Sequence, residues 1–158
     1  TLEDAVVKLL KKHGLTVSTV ESCTGGLAAG RLVNVPGVSD VFKTGFITYS
    51  NKAKRKLVGV KKETLERYGA VSPETAREMA LGAAKASGAD VTVSVTGIAG
   101  PDGGSEEKPV GLVYMACFVC GNVWVERFQF KGNRAKVREA SVAAALTLMR
   151  GCILEVFG

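Results

Sequence analysis

Among 158 residues there is one histidine, His13. That scarcity disfavours a Ser-His-Asp triad, and it leaves a zinc site short of ligands. Aromatic residues are only 6% of the chain and nowhere alternate with basic ones, so no base-stacking platform for nucleic acid is predicted. Proline is limited to 4 residues while apolar residues reach 46%, which excludes a disordered chain. No apolar run is expected to approach the roughly 18–20 residues of a membrane span, and no charged-then-apolar leader opens the chain. The expectation is a soluble, cytoplasmic protein with no membrane partner.

Cysteine is also sparse: Cys23, Cys117, Cys120 and Cys152. Cys117 and Cys120 form a C-x-x-C, but inside the strand-like run from Val113 to Cys120. Residues three apart on a strand face opposite ways, so the pair is not expected to share a disulfide or a metal. Buried, reduced thiols are the reading, with no metal site.

What is present is positive charge. Lys and Arg number 21 against 15 Asp and Glu, a net +6 that favours anionic ligands. The densest cluster runs Lys52-Ala-Lys54-Arg55-Lys56, with Lys61 and Lys62 close behind.

Leu2, Ala5, Val6, Leu9 and Leu10 recur at helical spacing and predict a helix ending at His13-Gly14. Leu15 to Val20 reads as a strand, 27–33 as a short buried helix, and Val41 to Tyr49 as a second strand. Ser50-Asn51 can cap a helix from Lys52 to Leu57, and Lys62 to Arg67 forms another, stopped by Gly69. Ser72-Pro73 opens a longer one running to Gly88. Asp90 to Thr96 predicts a third strand, followed by a long glycine-rich loop. Val110 to Val119 and Val123 to Phe130 predict a hairpin about Gly121-Asn122, and Ala135 to Phe157 a closing helix. Helices interleaved with strands, then an antiparallel hairpin, predict an α/β fold: a three-layer α/β/α sandwich on a mixed, mostly parallel central sheet, as one domain over 1–158.

Two predicted strands run straight into glycine-bearing loops, Thr19-Val-Glu-Ser-Cys-Thr-Gly-Gly26 and Val95-Thr-Gly-Ile-Ala-Gly-Pro-Asp-Gly-Gly104. Loops at the carboxyl ends of parallel strands line ligand crevices, and glycine lets the backbone approach a ligand closely. Ser22 sits at such a turn. A serine needs a base, and a lysine can be one when burial or nearby cations depress its pKa, which makes Lys52 and Lys54 candidates. On spacing alone a helix-capping Ser22 and a solvated lysine face remain alternatives.

The pieces Glu21-Ser-Cys-Thr-Gly-Gly26, Tyr49-Ser50-Asn51 with Lys54, Gly69-Ala-Val-Ser72, Thr96 to Gly104 and Lys108-Pro-Val-Gly111 together resemble the CinA C-terminal domain family, the nicotinamide mononucleotide amidohydrolases (PncC). The likeness extends from the first helix to the last. It implies hydrolysis of the carboxamide of nicotinamide mononucleotide to nicotinic acid mononucleotide and ammonia, without metal or organic cofactor, in a homodimer or higher homo-oligomer. The chain would be a stand-alone enzyme or the C-terminal part of a longer protein. Ser22 matches the family nucleophile, Lys54 its assisting lysine in the pattern Tyr-Ser-Asn-x-x-Lys, and Tyr49 a tyrosine of the same site that could hold Lys54 or relay a proton to the leaving ammonia. Thr96 and Gly97 are implied ligand contacts, Arg134 the phosphate-side arginine, and Gly37 part of the pocket rim. Asn133 stands where the family commonly has Asp. Backbone N–H groups from Thr24 through Gly25 to Gly26 could stabilise an oxyanion. The alternative is a nucleotide-binding or regulatory module without turnover.

Overall fold

The computed structural model describes residues 1–158. In chain order it forms α1 (Leu2–Lys12), β1 (Val17–Glu21), α2 (Leu27–Val33), a 3-10 turn (Val38–Asp40), β2 (Phe46–Ile47) and α3 (Asn51–Val58). Then come α4 (Lys62–Tyr68), α5 (Pro73–Ser87), β3 (Val91–Gly97), β4 (Leu112–Val119), β5 (Asn122–Gln129) and α6 (Arg134–Phe157). The sheet order is β2-β1-β3-β4-β5. β1 lies parallel to β2 and β3, β4 runs antiparallel to β3, and β5 antiparallel to β4, so every strand but β4 points the same way. One face is covered by α1, α2 and α6, and the other by α5 with α3 and α4 against it. The expected α/β/α sandwich is the fold.

β3 is buried on both sides, and its alternation splits two kinds of packing. Val91, Val93 and Val95 join the main core with Val6, Leu10, Leu146 and Met149. Thr92, Ser94 and Thr96 face the other way, and their hydroxyls donate to Ala80 O, Ala76 O and Ala70 O at 2.7–2.8 Å. The bonds of Thr92 and Ser94 exist because α5 presents Ala76, Ala80 and Ala83 to the sheet, and side chains that small bring its carbonyls within reach; Ala70 lies in the loop just before α5.

A second close approach fixes α3. A Cβ added at Gly82 of α5 would lie 1.7 Å from Val58 O, at the end of α3. Gly82→Ala therefore has to push the two helices apart, and we expect it to lower the unfolding free energy by about 3 kcal/mol in a urea titration. Because α3 carries Lys54, the same change should disturb the site.

Four expectations are corrected. The second strand is not Val41 to Tyr49: only Phe46 and Ile47 pair with β1, and Phe42 makes a single bridge to Val17. After Ile47 the backbone turns, aiming the Thr48 and Tyr49 carbonyls at Lys54. The hairpin turn is Cys120-Gly121, one residue earlier than expected, since Val119 pairs with Asn122. Both turn residues have positive φ, 46° and 95°, the backbone that a tight two-residue hairpin demands. Cys120 is consequently exposed in a turn, while Cys23, Cys117 and Cys152 are buried as expected. Finally, α6 is long and apolar enough to cross a membrane by length and composition. Its Ala- and Leu-rich surface is instead packed against the sheet and against α1 and α2.

Candidate active site

The turn that carries Ser22 is built by its neighbours. Ser22 N–H donates to Val95 O at 2.9 Å, extending the β1–β3 ladder and placing Ser22 at the carboxyl ends of two parallel strands. Gly25 and Gly26, with φ of 58° and 101°, then reverse the chain into α2. Gly26 offers no capping side chain, and the preceding Glu21 takes over that task. Fully buried, its carboxylate accepts from Thr24 Oγ1 at 2.6 Å, Ala28 N at 2.8 Å and Ala29 N at 3.0 Å.

Lys54 reaches the same point from α3, whose start is capped by Ser50 accepting from Ala53 N. It is 1% exposed, and its ammonium nitrogen has three neighbours: Thr48 O at 2.9 Å, Ser22 Oγ at 3.1 Å and Tyr49 O at 3.2 Å. None is a carboxylate. Burial without a counter-charge pulls its pKa from the ordinary 10.5 down to about 8. A neutral amine has two hydrogens and one lone pair. Lys54 Nζ donates to both carbonyls and to Ser22 Oγ; in the neutral amine two hydrogens satisfy the carbonyls, and the lone pair is then available to accept from Ser22 Oγ. Cys23, next along, is a poor competitor for the nucleophile role, because burial pushes its thiol up to about 11.

Arg134, the first residue of α6, donates to Gly100 O at 2.8 Å and to the Tyr49 hydroxyl at 3.1 Å. Asn133 caps that helix by accepting from Lys136 N at 3.0 Å, a role Asn and Asp fill equally well. Ser22, Lys54, Tyr49, Thr96, Gly97 and Arg134 all line one cavity of about 270 Å³. No group of three or more His, Cys, Asp or Glu side chains converges on a metal position.

Residues 1–153 match the model of the CinA C-terminal domain. The chain belongs to that family. It is 56% identical over 156 residues to a CinA-like protein of Kosmotoga olearia, covering 99% of this chain and 38% of that one. A putative competence-damage inducible protein of Clostridium novyi is 55% identical over 150 residues, 95% of this chain and 36% of the relative. The chain thus spans less than two fifths of the length of these curated relatives. Among solved structures, the competence/damage inducible protein CihA of Agrobacterium tumefaciens superposes with a TM-score of 0.92 at 46% identity, covering 95% of this chain and 94% of that one. A CinA superfamily protein of Klebsiella pneumoniae superposes at 0.94 with 32% identity, covering 98% and 96%.

Within this CinA domain several expected residues do something other than foreseen. Tyr49 holds Lys54 through its backbone carbonyl, while its phenol, on a side chain 59% exposed, pairs with Arg134. Thr96 spends its hydroxyl hydrogen on Ala70 O. Thr24 is fully buried and spends its own on Glu21. The Gly25 N–H is taken by Ser22 O at 3.0 Å, leaving the Cys23, Thr24 and Gly26 N–H groups as the free donors of the turn. Gly25 faces Arg138 and Gly26 faces Ile47, and neither lines the cavity. Gly37 is not at the rim. The 3-10 turn carries it to α1, where an added Cβ would meet Lys11 Nζ at 2.7 Å.

Two residues of the CinA site were missed. Glu21 was visible only as part of a motif. Arg138 donates to Cys23 O at 3.0 Å and Thr24 O at 3.3 Å, gripping the Ser22 turn from α6. Its signal was present as an arginine one helical turn after Arg134.

Proposed function

We propose that this domain hydrolyses the carboxamide of nicotinamide mononucleotide, releasing ammonia and nicotinic acid mononucleotide. The observation that carries the reading is a buried lysine with no carboxylate partner, 3.1 Å from a serine hydroxyl at the mouth of a cavity. Neutral Lys54 takes the Ser22 proton as Oγ bonds to the amide carbon. The carbonyl oxygen becomes an anion, stabilised by unpaired N–H groups of the Ser22 turn, and loss of one such donor typically costs about 3 kcal/mol of barrier. Protonated Lys54 then gives its proton to the amide nitrogen, the C–N bond breaks and ammonia leaves. Water, deprotonated in turn by Lys54, cleaves the acyl ester and restores Ser22. No step needs a metal or organic cofactor.

The test is an ammonia-release assay on the purified protein. One ammonia per nucleotide consumed is expected with nicotinamide mononucleotide and none with nicotinic acid mononucleotide. Saturable nucleotide binding without ammonia would overturn the reading in favour of a binding module.

Arg134 suits the phosphate end, because a guanidinium grips phosphate with two parallel hydrogen bonds. Arg134→Ala is expected to raise KM for the nucleotide by about tenfold while leaving kcat within about threefold, as measured by initial rates. Functional partnership with a second copy of the chain remains part of this proposal, checked by sedimentation equilibrium.

A further inference from the structure

The outward side of α3 carries charge that neither the fold nor the proposed reaction uses. Lys54 points inward, but Lys52, Arg55 and Lys56 are exposed and form no ion pair. They open, together with Lys62, onto a cleft of about 600 Å³ between α3 and α4. Glu63 is its single acidic residue. Lys62 has only Glu66 as a partner, at 3.8 Å, with both side chains exposed.

Helix electrostatics do not explain this placement. Arg55 and Lys56 lie in the last turn of α3, where cations are favourable. Lys52 lies in its first turn, and Lys61 and Lys62 begin α4, where the positive end of the helix dipole opposes them. Between positions 52 and 62 there is no Asp or Glu at all. Cations crowded around one concavity repel one another, and the folded state recovers nothing in exchange. A ligand of opposite sign does.

The shape and lining narrow the class. The cleft holds no aromatic side chain, so it has nothing for bases to stack on. One guanidinium fork and three mobile ammonium groups around a concave space suit several phosphoryl oxygens held close together. We propose that the α3–α4 cleft is a binding site for a compact polyphosphate group, such as the di- or triphosphate of a small molecule. This site is separate from the Ser22 cavity, and its test does not depend on turnover.

Inorganic tripolyphosphate titrated into the purified protein in a calorimeter at about 150 mM salt, where unspecific surface attraction is screened, is the probe. One site per chain is expected. The triple variant Lys52→Ala, Arg55→Ala, Lys56→Ala should weaken binding by at least about tenfold. A control with the same loss of charge, Lys8→Ala, Lys12→Ala, Arg150→Ala on exposed positions of α1 and α6, should stay within about twofold of the parent. Equal weakening in both variants, or no saturable binding, would overturn the site. Tighter binding of a single-stranded oligonucleotide that displaces tripolyphosphate would overturn the compact-ligand assignment.

Discussion

Ser22→Ala is expected to reduce ammonia release from nicotinamide mononucleotide to background, a loss of at least about a thousand-fold in kcat. The size of the effect follows from the absence of any substitute at that point. Cys23 is the adjacent alternative, but its thiol, raised to about 11, is protonated at neutral pH. His13 belongs to the end of α1, where it stacks on Phe157, and it does not line the Ser22 cavity. The variant should also fold normally. Beyond its contact with Lys54, the Ser22 hydroxyl makes one long bond, 3.5 Å to Tyr49 O. An unfolding midpoint close to that of the parent, together with lost turnover, separates chemistry from stability. Undiminished turnover would reject the serine.

Lys54→Met should be nearly as damaging, and it carries a second signature in pH. The base acts only when unprotonated, and Lys54 titrates at about 8. The proposed reaction should therefore rise with pH in kcat/KM, gaining about tenfold per unit below that value and levelling above it. Lys54→Arg should be inactive throughout, because a guanidinium does not deprotonate. Stability follows the same group. Between pH 8 and the ordinary lysine value of 10.5, the unfolded chain binds a proton at this residue that the native chain does not. Native stability should thus increase with pH across that window by up to about 1.4 kcal/mol per unit, relative to Lys54→Met. It should lose that contribution as pH falls to 8. Paired urea titrations of parent and variant read the difference.

The architecture was legible because its strongest signals are local. Ser72 and Pro73 start α5 where capping chemistry says a helix starts, and Gly88 ends it in a left-handed conformation. The β-branched run of β3 marked it as a strand directly. What could not be read were features decided by distant partners. Apart from the Phe42 bridge, only Phe46 and Ile47 pair within a longer β-branched run, since Lys54 claims the carbonyls that follow. Ser22 and Lys54 were candidates by residue type, but their meeting rests on α3 lying against α5 at Gly82, a closeness no spacing rule encodes. Gly37 was misplaced for the converse reason: a glycine in a turn says how the backbone bends, not what it bends towards.

The grip of Arg138 on the Cys23 and Thr24 carbonyls has a consequence for when the centre first exists. Ser22 and Lys54 precede α6 in the chain, yet the clasp that steadies their turn belongs to that later helix. A nascent chain stalled before residue 134 would hold Ser22 and Lys54 without the brace, so the proposed activity should arrive abruptly once α6 is available rather than grow with chain length.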